Sequence, residues 1–98
     1  MKTLAPEIKE KIIRLIMALL PDVKIYLFGS RARGTNHERS DIDIALDAGQ
    51  KLPLVVIDEV ASVLAETNIA YKIDVVDFHR ISEAMQQDVK KEGVAWKI

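Results

Sequence analysis

Apolar residues recur along this chain in two rhythms, one helical and one strand-like. Residues 6–20 carry Ile8, Ile12, Leu15 or Ile16, and Leu19 at three- and four-residue steps, which predicts a helix with one apolar stripe. Pro6 suits its first turn, Thr3 is a nearby cap, and Pro21 stops it. Residues 23–28, VKIYLF, are rich in β-formers and predict a strand ended by Gly29-Ser30. Residues 31–40, RARGTNHERS, hold nothing apolar larger than alanine and predict a loop opening with one helical turn. Residues 41–46, DIDIAL, alternate sharply, with Asp41, Asp43 and Ala45 on one face and Ile42, Ile44 and Leu46 on the other. That is a half-buried strand with carboxylates on its open side.

Residues 47–51 predict a turn, and 53–66 a helix with Val56, Val60 and Val63 or Leu64 on one stripe. Residues 70–76, AYKIDVV, predict a third strand with Tyr71, Ile73 and Val75 facing one way and Lys72, Asp74 and Val76 the other. Ser82 caps a last helix carrying Met85 and Val89 and ending at Gly93, and the tail VAWKI reads as an edge strand. There is no repeat and no linker, so residues 1–98 form one domain. The first two strands are joined by a loop and not a helix, which favours an antiparallel pair inside a mixed sheet. The predicted class is α/β, with helices on one face of the sheet and carboxylates lining the other.

Composition narrows the function. The chain has 98 residues, 49% of them hydrophobic and 30% charged, which is one core and no disordered tail. Without cysteine there is no disulfide scaffold, thiol catalysis or Cys-based zinc site. A net charge of -1 argues against a large nucleic-acid-binding face. Charges interrupt every apolar run, so neither a membrane span nor a signal peptide is expected, and a cytoplasmic location is.

Three features carry the chemistry. Gly29-Ser30 at a strand end lets backbone approach a ligand closely, and a helical turn starting there presents N–H groups to a phosphate. Asp41 and Asp43 repel one another unless a cation sits between them, and hard oxygens on a strand suit Mg²⁺. Asp74 on a neighbouring strand completes a cluster able to hold two such ions, the arrangement used in phosphoryl and nucleotidyl transfer. Its rival Asp77 falls on the apolar side and is read as a cap of the strand end or the next helix. Arg31 and Arg33 flank the turn as candidate phosphate ligands, balanced against a merely solvated loop. Ser40 braces the loop or touches phosphate. Arg39, His37 and His79 are read as loop residues, Lys72 as a partner for Asp74, and Trp96 as either core or a partner-binding edge.

Read together, these residues spell G-S, ten residues, then D-x-D, with a lone Asp on a later strand. Gly29-Ser30, Asp41-Ile42-Asp43 and the words FGSRARG, SDIDIAL and IDVVD resemble the signature of the minimal nucleotidyltransferases, small relatives of the DNA polymerase β-like superfamily. The resemblance spans about residues 8 to 93. It implies a polymerase β palm-like sheet, ATP held by its β- and γ-phosphates at Gly29 and Ser30, and two Mg²⁺ ions on Asp41, Asp43 and Asp74. It also implies a HEPN-type helical partner, to whose tyrosine AMP is transferred, and an antitoxin role. No base-recognition residue is visible, so ATP is implied by the family alone, and a homodimer is left open. Two rivals stand beside this reading. One is a module that neutralises its partner by contact alone; the other is transfer to a small molecule or an RNA end.

Overall fold

The computed structural model describes residues 4–36 and 40–98; Thr3, His37 and Arg39 lie outside the described residues. Eight elements follow in chain order: α1 (Pro6–Leu19), β1 (Lys24–Phe28), α2 (Ser30–Arg33), β2 (Ile42–Asp47), α3 (Leu54–Ala65), β3 (Ile73–Asp77), α4 (Glu83–Glu92) and β4 (Val94–Lys97). The strands form one sheet in the order β3-β2-β1-β4. β1 is antiparallel to both β2 and β4, and β2 is parallel to β3, so the sheet is mixed.

Alternation along the strands sorts side chains into two layers. Ile25 and Leu27 of β1 and Ile42, Ile44 and Leu46 of β2 face α1 and α3, where Ile12, Ile16, Val60 and Leu64 close the main core. Ile8, Leu15 and Leu19 sit at its margin, as the helical stripe requires. The N–H of Leu20 bonds the carbonyl of Ile16 at 2.8 Å, and Pro21 follows, ending α1. Trp96 also packs against this core, with Lys9 Nζ 5.8 Å from its ring centre.

Helices do not keep to one face, contrary to the pattern-based expectation. α1 and α3 share a face, but α4 lies on the opposite one. There Val89 meets Ala45 and Phe78 in a second, smaller core bordered by Tyr26, Phe28, Val76 and Ile81. Ala45 is the reason: its small side chain leaves room for a helix against the sheet. Burying Val89 contributes about 1.5–3 kcal/mol there. Ser82 caps α4, accepting the Met85 N–H at 3.2 Å.

Strand boundaries shift from the sequence pattern: β1 begins at Lys24, not Val23, and β2 and β3 each run one residue further, to Asp47 and Asp77. β2 begins at Ile42, not Asp41, and β3 at Ile73, not Ala70. The pairing explains these last two starts, because Ile42 opposite Ile73 is the first pair of the parallel ladder. One further backbone bond, from the Ile42 N–H to the Lys72 carbonyl at 2.9 Å, closes its entrance.

Candidate functional site

The site is assembled where three chain segments meet. β1 ends at Phe28, which pairs with Asp43 of β2. The next residue, Gly29, turns the chain into the single helical turn of α2. Its φ of 76° and ψ of -155° lie in a region essentially closed to other residues. The turn also passes so close to β2 that a Cβ on Gly29 would collide with the Asp43 carboxylate. Glycine is thus required twice at this position, once by backbone angle and once by space. Ser30 opens α2, and its carbonyl accepts the Thr35 N–H at 3.0 Å. Gly34, at φ 77°, closes the turn.

The parallel register places Asp74 of β3 directly opposite Asp43, on the same face. Neighbouring strands lie about 4.8 Å apart, so the two carboxylates share one small region. Asp43 is half-buried, and burial raises its pKa above the usual carboxylate value. The charges of Asp74 and Asp41 raise it further, against the opposing pull of Arg33 and Lys72. Asp41, just ahead of the strand, is exposed. Lys72 Nζ lies 3.8 Å from Asp74 Oδ1. Among the described residues no three carboxylates or histidines stand close enough together to hold a metal ion. The donor chemistry nonetheless fits Mg²⁺: hard oxygens, a surplus of like charge, and one carboxylate that the surplus disfavours in its ionised form.

Asp77 lies on the other face, opposite Leu46, and is buried. It accepts the Leu52 N–H at 2.7 Å and the His79 N–H at 3.0 Å, with Arg80 Nε 3.5 Å away. Arg80 in turn donates to the Leu52 carbonyl. These contacts tie the loop before α3 to the end of β3. His79 sits on the site's side of the sheet but away from Asp43, with Nε2 2.7 Å from Asp47 Oδ1.

The two arginines diverge. Arg33 is exposed, 3.5 Å from Glu92 of α4. With Phe28, Gly29, Met85, Asp88 and Glu92 it lines a cleft of about 150 Å³ beside the glycine turn. Arg31 turns the opposite way. Its Nε and Nη2 donate to the Ser40 carbonyl at 3.1 and 3.0 Å, and its guanidinium stacks 4.7 Å from the Tyr71 ring centre. Neither Tyr71 nor Glu92 is marked by any local signal in the sequence; both come to the site only through tertiary packing.

Residues 10–95 match the family described as "Polymerase beta, Nucleotidyltransferase". The chain is 38% identical over 86 residues to the protein adenylyltransferase MntA of Shewanella oneidensis, covering 87% of this chain and 61% of that protein. It therefore spans about 61% of that relative's length. A solved structure described as a toxin–antitoxin with AMP-PNP superposes with a TM-score of 0.77 at 37% identity, covering 90% of this chain and 71% of that one. Another, a tri-AMPylated Shewanella oneidensis HEPN toxin in complex with MNT antitoxin, superposes at 0.70 with 32% identity, over 90% and 67% of the two chains. With residues 10–95, most of the chain, matched, this protein belongs to the polymerase beta nucleotidyltransferase family.

Proposed function

We propose that this domain is a Mg²⁺-dependent nucleotidyltransferase that moves AMP from ATP to a tyrosine hydroxyl of a HEPN-type helical partner, acting in the cytoplasm as that partner's antitoxin. The observation that carries the reading is the meeting of the Gly29-Ser30 turn with Asp43, beside Asp74. The likeness to a protein adenylyltransferase, and to the antitoxin chain beside an AMP-modified toxin, supports the choice of nucleotide and acceptor.

Gly29 and Ser30 hold the triphosphate tail, the glycine by leaving space and the serine by its hydroxyl. Asp41, Asp43 and Asp74 would hold two Mg²⁺ ions, which when bound neutralise charge on the phosphates and lower the pKa of the acceptor hydroxyl. The acceptor oxygen attacks the α-phosphorus in line. The new P–O bond forms as the bond to the β-phosphate oxygen breaks, and pyrophosphate leaves. The hydroxyl proton passes to Asp74. Arg33, at the cleft mouth, meets the departing phosphates.

Intact-mass measurement of the helical partner after incubation with this protein, ATP and Mg²⁺ tests the reading. Addition of AMP by wild type and not by Asp43→Asn is expected. A stable complex with no mass change would favour neutralisation by contact alone.

A further inference from the structure

Arg31 stands where three functional segments enter the site. It belongs to α2, the turn that carries Ser30. Its guanidinium bonds the carbonyl of Ser40, the residue before Asp41, through two donors. The face of the same guanidinium lies on Tyr71, three residues before Asp74. Tyr71 itself is half-buried against the main core. Between the two contacts, the Ile42 N–H bonds the Lys72 carbonyl and closes the mouth of the parallel ladder. A single planar cation therefore bridges the phosphate turn and the entrances of both carboxylate strands.

From this we infer that Arg31 is a positioning residue, with Tyr71 as its platform. Together they fix the glycine turn relative to the Asp41–Asp43 and Asp74 strands. The inference rests on the proposed nucleotidyl transfer for its kinetic test, and on metal binding for an independent one. The contacts with Ser40 and Tyr71 are what a positioning role requires. A guanidinium that places two of its five N–H donors on one backbone carbonyl and lies over an aromatic ring is held by shape as well as charge. Lysine reproduces its charge and neither its fork nor its stack. That change would weaken a planar clamp and a bidentate phosphate contact alike, so the Tyr71 variants and the split between kcat and KM tell the two roles apart. Tyr71 has no reason to matter to a phosphate ligand and every reason to matter to the clamp.

The test uses the full chain with Arg31→Lys, Tyr71→Leu, the double variant, and Tyr71→Phe as the conservative control. With ATP, Mg²⁺ and the helical partner, each of the first two variants is expected to lower kcat by roughly 10- to 100-fold while KM for ATP changes little, since a displacement of order 1 Å at the reacting centre has that effect. The double variant is expected to be no worse than either single one, because the two side chains act as one unit. Tyr71→Phe keeps the ring and stays near wild type. Binding of Mn²⁺ alone, followed by its electron paramagnetic resonance signal, is expected to weaken by roughly 10-fold in the first two variants, the scale on which residues behind metal ligands act.

A raised KM for ATP in Arg31→Lys at unchanged kcat, with Tyr71→Leu silent, would overturn the inference and make Arg31 a phosphate ligand. Losses that multiply in the double variant would also overturn it. Should Tyr71→Leu fail to fold, Arg31→Lys decides through its kcat and KM split together with Mn²⁺ affinity. If wild type transfers no AMP, the proposed function fails by itself. The clamp is then judged on Mn²⁺ alone, and unchanged affinity in both variants would end it.

Discussion

Replacing Gly29 by alanine puts the central contact of the site to a quantitative test. The perturbation has two separable parts. The backbone at φ 76° and ψ -155° disfavours any residue with a Cβ, at a cost of about 1–3 kcal/mol. The new methyl also meets the Asp43 carboxylate, so that side chain must leave its rotamer. That adds about 0.5–1.5 kcal/mol. The sum is about 1.5–4.5 kcal/mol. For a domain of this size each kcal/mol lowers Tm by about 4–8 °C, so a fall of roughly 6–36 °C is expected. Urea unfolding of wild type, Gly29→Ala, Asp43→Ala and the double variant forms a cycle that separates the parts. In the Asp43→Ala background the steric share, about 1 kcal/mol, disappears and the backbone share stays. A total cost below about 0.5 kcal/mol would refute the backbone argument. Equal costs in both backgrounds would refute the contact with Asp43. Because the carboxylate is pushed aside, AMP transfer should also fall well below the melting range.

Four further outcomes are expected. Asp43→Asn should raise the Tm of the metal-free protein at neutral pH while reducing transfer to background. Burial, then Asp74 and Asp41, raise the Asp43 pKa, so its charged form costs the fold stability above that pKa; a lower Tm in chelator would contradict this. Asp74→Asn should change stability by no more than about 0.5 kcal/mol yet abolish transfer, since its side chain is 44% exposed. Asp77→Asn should do the reverse, costing about 2–4 kcal/mol by setting an amide against two buried N–H donors and removing the partner of Arg80; denaturant melts with transfer assays on both variants check the pair. The Asp47 pKa is raised by burial but lowered on balance by the Gly49 N–H and by His79. A lowered carboxylate pKa stabilises the fold above its unfolded value and loses that stability as pH falls through the folded value. Asp47→Asn should therefore flatten the acid-side fall in Tm between neutral pH and about pH 3. A parallel fall in variant and wild type would contradict the assignment.

Much of the molecule was legible from local rhythm. The helical stripe of Ile12 and Ile16, the alternation of Ile42 and Ile44 with Asp41 and Asp43, and the Ser82 cap all follow from spacing along one segment. The same alternation separates Asp74 from Asp77 by face before any neighbour is known. Periodicity says which side a residue takes, because that depends only on backbone pitch. It is silent on what lies across from it. The start of β3 at Ile73 is set by where β2 offers a partner, so the Ala70 to Lys72 stretch looked like strand and is not. Ala45 looked solvent-facing beside two aspartates, and α4 covers it through Val89 and Phe78. The neighbours of Arg31 in sequence offer it to phosphate, and only the fold shows that two of its donors reach the Ser40 carbonyl and that its guanidinium lies over Tyr71. Chemistry that depends on residues two apart on a strand is written in the chain itself. Register, the face a distant helix covers, and the partners of a long side chain are decided only when segments far apart in sequence compete for the same space and the same hydrogen bonds.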